Sequence, residues 1–313
     1  MIIDLPDTTS SAVSKELVRI REDGGAIALG RVLTLVITTE PGREEVAIEA
    51  ANDASREHPM RVIVLAPATD ANGQAKVDAQ IRVGGDAGAS EVVVLRAYGE
   101  AARDPESLVT GLLLPDAPVV AWWPGSCPAA IAETAIGRMS QRRISDSAAH
   151  PDPVAALAGL AQHYRPGDTD FAWTRLTLWR TQLAAALDQP PYEPVTSVEV
   201  RGAADSPSTM LLAAWLQLAL EVPVDLRLSA ESKGAIGISG VRLQRPSGVL
   251  ELERTENPLV RLVQPGQPDH DVSLPRRSLR DCLAEELRRL DPDDVFGDVV
   301  TRGLSALESA RRP

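Results

Sequence analysis

The sequence predicts an α/β N-terminal domain with a mixed sheet, a helical connector, and an α+β C-terminal domain with a mostly antiparallel sheet. Three observations predict it. A length of 313 residues exceeds what one hydrophobic core usually organises, so two domains are expected. The β-branched run Val32–Thr38, the Ala- and Glu-rich segment Glu44–Arg56 and the apolar run Arg61–Ala66 follow one another as a βαβ unit requires. Beyond the proline-rich QPPYEP at Gln189–Pro194, short alternating runs broken by turn residues replace that rhythm. The expected boundaries are 1–150, 151–190 and 191–313.

Ser10–Arg21 spaces Val13, Leu17 and Ile20 along one side of a short amphipathic helix. After the βαβ unit, Val77–Val83 and Glu91–Arg96 are strands whose short connection predicts an antiparallel hairpin. Ser107–Leu114 is expected to be helical, Val119–Trp123 a strand ending at Pro124–Gly125, and Arg142–Ser145 a short edge strand. Pro151–Tyr164 and Thr169–Leu187 read as two connecting helices, with Asp168, Thr169 and Asp170 as N-cap candidates for the second. The later half reads as strand Val195–Arg201 and helix Pro207–Leu220, which contains Trp215. Short strands then fill Val224–Val263, and helices Ser278–Leu290 and Asp293–Ala310 close the chain.

Composition removes several function classes. A net charge of −12 disfavours nonspecific attraction to nucleic acid or to an acidic membrane. The longest apolar runs, such as Val92–Leu95, are far short of the roughly 20 residues a membrane span needs. The N-terminus MIIDLPDTT shows no basic flank or cleavage pattern, so a soluble cytoplasmic protein is expected. Cys127 and Cys282 lie far apart without CxxC spacing, against a disulfide framework or a thiolate metal site. Arg288 and Arg289 near Glu285 and Glu286 read as a solvated helix face.

The chain has no GxGxxG, GxxxxGK[ST], HExxH or GxSxG motif. Its four histidines adjoin no nucleophile in sequence, and no catalytic residue, metal ligand or cofactor site is assigned. Asp168 and Asp170 read as helix caps before they read as metal ligands. Two other segments stand out. RVGGDAGASEVVVLR, Arg82–Arg96, places a glycine-rich turn between two strands, and its structural reading is a tight hairpin needing positive φ. Its functional reading is an anion nest lined by Arg82, Gly84, Gly85, Asp86 and Ser90. The adjacent Trp122 and Trp123 end a strand on opposite faces, so each needs its own cover.

Gly167–Pro190 carries Trp173, Arg175, Trp179 and Arg180 in a chain with only ten aromatic residues. At helical spacing Leu176, Trp179, Leu183 and Leu187 form one stripe, while Trp173, Thr177, Arg180 and Ala184 form a second. One stripe suits a core. The other has the residue types most enriched at binding hot spots.

GRVLTL at Gly30–Leu35, HPMRVIVL at His58–Leu65, RVGGDAGASEVVVLR, LLPDAPVVAWWPG at Leu113–Gly125, RRISDS at Arg142–Ser147, Gly167–Pro190 and RDCLAEELRRLD at Arg280–Asp291 together resemble the glucose-6-phosphate dehydrogenase assembly proteins of the actinobacterial OpcA family. The resemblance covers almost the whole chain and keeps motif order. It implies a non-catalytic protein that binds glucose-6-phosphate dehydrogenase and promotes its active oligomer, supporting NADPH production in the oxidative pentose phosphate pathway. Cyanobacterial relatives are associated with thiol control, from which this chain departs by lacking a closely spaced cysteine pair. Trp122, Trp123, Trp173, Arg175 and Arg180 are the expected dehydrogenase contacts. The rival expectation is an enzyme or sensor for a small phosphorylated metabolite, held by the Arg82–Ser90 turn; a third is a scaffold for several pathway enzymes.

Overall fold

A strand, helix and parallel strand form the centre of the N-terminal half: β2 (Leu33–Thr38), α2 (Glu44–Ala54) and β3 (Met60–Pro67). The computed structural model describes residues 1–23, 30–68, 73–84, 91–230 and 237–311. Two compact units emerge, each assembled from three stretches of chain. Unit 1 comprises Met1–Asp146, Gly167–Thr169 and Ser278–Pro292; unit 2 comprises Ser147–Pro166, Asp170–Arg277 and Asp293–Pro313.

In unit 1, β1 (Ile2–Leu5), α1 (Ser10–Asp23) and the βαβ core precede β4 (Lys76–Arg82) and β5 (Glu91–Tyr98). The β4–β5 pair is antiparallel, as its short connection requires. The short helix α3 (Pro105–Thr110) leads to β6 (Val119–Trp122), and α4 (Ala135–Arg138) to β7 (Arg142–Ser145). With β8 (Asp168–Asp170), these strands form a mixed sheet of order β1-β4-β5-β3-β2-β6-β7-β8. The central strands β2, β3 and β5 are almost wholly apolar and buried, as expected for strands covered on both faces. The helix Leu279–Arg288 lies along α2, with Cys282, Leu283 and Leu287 buried. Arg288 on its surface pairs with Glu57 at 2.6 Å.

Unit 2 begins with α5 (Pro153–His163), α6 (Phe171–Thr174) and α7 (Thr177–Leu187). Strand β9 (Ser197–Ala203), helix α8 (Pro207–Leu220) and strand β10 (Val224–Ser229) make a second parallel βαβ unit. Antiparallel strands β11 (Ile238–Arg245), β12 (Gly248–Arg254), β13 (Leu259–Val263) and β14 (His270–Ser273) extend the sheet in the order β10-β9-β11-β12-β13-β14. Val198, Val200, Leu243, Leu250 and Leu252 are buried, while the alternate positions carry Arg201, Arg242, Glu251 and Glu253. Arg201 reaches across to Glu251 and Glu253 because its neighbour Gly240 has no side chain: a Cβ there would stand 2.8 Å from Arg201 Nη2.

Three local expectations change, and one strand was not expected at all. Arg142–Ser145 is not an edge strand, because β8 lies beyond it in the sheet. Thr169–Leu187 is not one helix: its first residues extend as β8, and the helix breaks between α6 and α7 at Arg175 and Leu176. Asp293–Ala310 is interrupted by a π-helical turn at Val299–Gly303. Strand β14 carries His270, Asp271 and Ser273, too polar to show alternation.

Candidate functional site

The tryptophan–arginine segment belongs to unit 2 from Asp170 onward. Asp170 starts α6 as its N-cap: Oδ1 accepts from the Ala172 amide at 2.8 Å and from Ser147 Oγ at 2.9 Å, and Oδ2 accepts from the Ser147 amide at 2.9 Å. Trp173, one turn into the segment, is 1% exposed. Its Nε1 donates to Asp293 Oδ2 at 2.8 Å, and its ring packs on Phe296 with centroids 5.7 Å apart. Asp293 also caps the helix Asp294–Asp298 by accepting from the Phe296 amide at 3.0 Å.

Arg180 lies over this indole, its Cζ 3.8 Å from the ring centroid. Arg175 sits above Phe171 at 5.9 Å, and Arg254 of β12 above Trp179 at 5.5 Å. The stripe Leu176, Trp179 and Leu183 is buried, as core packing predicts. The second stripe is graded: Trp173 buried, Thr177 and Arg180 half-buried, Ala184 exposed. Here the tryptophans form the floor and the guanidiniums the rim.

In unit 1, Trp122 and Trp123 are both buried, at 0% and 3% exposure. Trp122 ends β6, which lies between β2 and β7, and Trp123 follows it; the burial of both shows that each face is covered at this point. Trp123 lines a cavity of about 220 Å³ with Thr38, Leu65, Ala97 and Ile136, near the carboxyl ends of β2, β3 and β5. Among the described residues, no charged side chain lines it. Arg82, from the expected anion nest, gives Nη1 and Nη2 to Glu45 at 2.8 and 2.6 Å and Nε to Gln80 at 2.7 Å. The Arg82 hydrogen bond holds the Glu45 carboxyl below its ordinary range. Gly84 adopts φ +74°, while Gly85, Asp86 and Ser90 lie outside the described residues.

A buried polar network went unseen in the sequence. Within unit 1, Glu286 is 6% exposed and accepts from Arg142 at 2.6 Å, and Thr169 Oγ1 donates to it at 3.4 Å. It is therefore a core carboxylate and not part of a solvated face. Asp168 pairs with buried Arg143 and caps no helix. Gly167 lets this strand approach: its φ is +95°, and a Cβ would come 2.6 Å from Gln141 O. RRISDS, GDTDFAW and RDCLAEEL are thus complementary pieces of buried polar structure, although no single one shows a spacing motif. Among the described residues, no group of three His, Cys, Asp or Glu side chains could hold a metal ion. No described helix is long and apolar enough to cross a membrane.

The fold defines a protein of two α/β units, each with its own sheet. The family model for the N-terminal domain of the glucose-6-phosphate dehydrogenase subunit matches residues 51–162, and that for its C-terminal domain matches residues 166–300. The chain belongs to this family, the OpcA glucose-6-phosphate dehydrogenase assembly proteins. Comparison with curated proteins finds no match.

Among solved structures, the 3-ketoreductase KijD10 of Actinomadura kijaniata is similar at 11% identity and TM-score 0.46, over 89% of this chain and 97% of that one. Glucose-6-phosphate 1-dehydrogenase of Mycobacterium avium is similar at 12% identity and TM-score 0.44, over 90% and 93%. The myo-inositol dehydrogenase of Lactobacillus casei gives 9% identity and TM-score 0.44, over 89% and 94%.

Proposed function

We propose that this protein is a non-catalytic assembly factor and allosteric activator that binds glucose-6-phosphate dehydrogenase in the cytoplasm and favours its active oligomer, so sustaining NADPH production in the oxidative pentose phosphate pathway. The observation that carries this reading is the match of both family domains, in order, across most of the chain. The mechanism is linkage: a partner that binds the active oligomer better than the inactive form shifts the population by that difference. A preference of about 3 kcal/mol changes the ratio more than a hundredfold.

In this reading Arg175 and Arg180 supply polar contacts to the dehydrogenase, and Trp173 holds Arg180 in place from below. Trp122 and Trp123 act in unit 1 by fixing the end of β6. The phosphorylated-metabolite reading draws no support from Arg82, whose guanidinium is engaged by Glu45 and Gln80. The test adds the purified chain to the dehydrogenase of the same cell and follows NADPH formation together with complex mass. A rise in both is expected; no change in either overturns the proposal.

A further inference from the structure

Five strands of unit 1 are parallel and stand in the order β5-β3-β2-β6-β7. The chain runs outward from β2 through β3 to β5 on one side, then returns to place β6 and β7 on the other. The turning point of this order lies between β2 and β6. Open α/β sheets bind ligands at such a point, in the crevice outside the carboxyl ends of the strands. The cavity of about 220 Å³ lies there. Thr38 ends β2, Leu65 and Pro67 close β3, Ala97 stands near the end of β5, and Trp123 follows β6. Ile37 is in register with Trp122, so Thr38 and Trp123 fall one step further on, level with each other across the turning point.

The walls set the chemistry. Leu65, Ala97, Trp123 and Ile136 are buried, while Ser126 and Pro128 are exposed at the mouth. Thr134 is already engaged, its Oγ1 donating to Ile131 O at 2.7 Å and accepting from the Gly137 amide at 2.9 Å. Thr38 is different: its Oγ1 is buried and, among the described residues, has no hydrogen-bond partner. A buried hydroxyl without a partner costs stability, and a ligand that brings one removes that cost. An ordered water needs two to four polar partners, more than one free hydroxyl supplies.

Charge on the ligand is disfavoured. Among the described residues no charged side chain lines the cavity, and an ion there would lose its hydration without compensation. Phosphate is disfavoured beside it too, because α2, which follows the turn after β2, carries Glu44 and Glu45 in its first turn. The volume lies between the roughly 150 Å³ that holds benzene and the roughly 300–1,000 Å³ of sites for drug-sized molecules, so one or two rings fit.

We propose that this cavity binds an uncharged one- or two-ring aromatic compound with a hydrogen-bonding group, its ring against Trp123 and that group on Thr38 Oγ1. Trp123 supplies an aromatic wall for a flat ring. The Thr38 hydroxyl, able to donate or accept, orients it. The site is contained in unit 1 and stands independently of the assembly reading.

The experiment uses the full chain with three probes: benzamide and indole, both neutral, and benzoate, which has the shape of benzamide with a negative charge. Calorimetry and melting temperature follow binding. Saturable binding of benzamide and indole at about 1 mM or tighter is expected, with benzoate at least about tenfold weaker. Thr38→Val keeps the shape and removes the hydroxyl. It should leave the melting temperature of the free protein unchanged or higher and weaken benzamide about fivefold to tenfold. Ala102→Leu, which puts a larger side chain into the cavity, should abolish binding of both neutral probes.

No saturable binding of either neutral probe overturns the proposal, as does equal binding of benzoate or retained binding in a folded Ala102→Leu. Thr38→Val is the smaller change and carries the test if Ala102→Leu unfolds: equal benzamide affinity in Thr38→Val and wild type overturns the pairing with Thr38 Oγ1. If neither probe binds and Ala102→Leu instead loses the dehydrogenase, the cavity receives a side chain of that partner and the small-molecule assignment is overturned.

Discussion

Arg180 lies flat over Trp173, with 3.8 Å between its guanidinium carbon and the ring centroid. A half-buried cation on the face of an indole is worth about 0.5–2 kcal/mol. Arg180→Ala should therefore lower unfolding free energy by roughly 1 kcal/mol, and Arg180→Lys by less. Denaturant titration followed by tryptophan fluorescence checks this. If Arg180 also touches the dehydrogenase, the loss in binding will exceed the loss in stability.

Trp173 serves two partners at once, Phe296 through its face and Asp293 through Nε1. Trp173→Phe keeps most of the first and removes the second, so it should cost about 1–3 kcal/mol, the penalty for leaving a buried acceptor short of a donor. Trp173→Ala should cost about 3–5 kcal/mol through the cavity it opens. A Trp173→Phe variant as stable as wild type in thermal and chemical unfolding would show that the hydrogen bond adds nothing.

Arg142 and Glu286 form an ion pair in the core of unit 1 at 2.6 Å, both under a tenth exposed. Removing one partner strands the other charge, so Glu286→Gln or Arg142→Met should each cost about 3–5 kcal/mol. Replacing both with apolar residues should recover much of that. A double-mutant cycle measures the difference, and additive losses would contradict the pairing.

Gly167 has φ +95°, and a side chain there would press on Gln141 O and Arg143. Gly167→Ala should destabilise the protein by about 1–3 kcal/mol, as a strained backbone position does. The effect should appear as a fall in melting temperature, whereas Gly42→Ala, at φ +84° with open space around it, should cost less.

Asp78 accepts from the Asp7 amide at 2.9 Å and pairs with Lys76 at 3.0 Å. The backbone hydrogen bond first, and then Lys76, lower its pKa. A lowered folded-state pKa gives stability that is present above the unfolded value of about 3.9 and is lost as pH falls through the lower folded value. Asp78→Asn should therefore be less stable than wild type near neutral pH, and the two should converge in acid. A constant gap across a pH series of unfolding curves would rule this out.

Much of the fold was legible in the chain itself. Leu33–Thr38, Glu44–Ala54 and Met60–Pro67 announce a parallel βαβ unit because strand and helix periods differ and each segment has one. Pro207–Leu220 is visible to the residue because Ser206 caps it and Pro207 fills its first turn. The break at Arg175 and Leu176 was invisible, since the apolar spacing runs through it unchanged. Polar β14 gave no alternation to read.

For the site, the sequence alone determined which residues are unusual: the tryptophan–arginine segment, the glycine-rich turn after Arg82, and the motifs that mark the family. It also set the periodic burial of Leu176, Trp179 and Leu183, because local spacing fixes a helix face. Tertiary structure alone decided which charges meet. Glu286 finds Arg142 across 144 residues, and Asp168 finds Arg143. A carboxylate on a helix reads the same whether it faces water or a buried guanidinium. Only the packing of distant segments sets its dielectric surroundings and its partner.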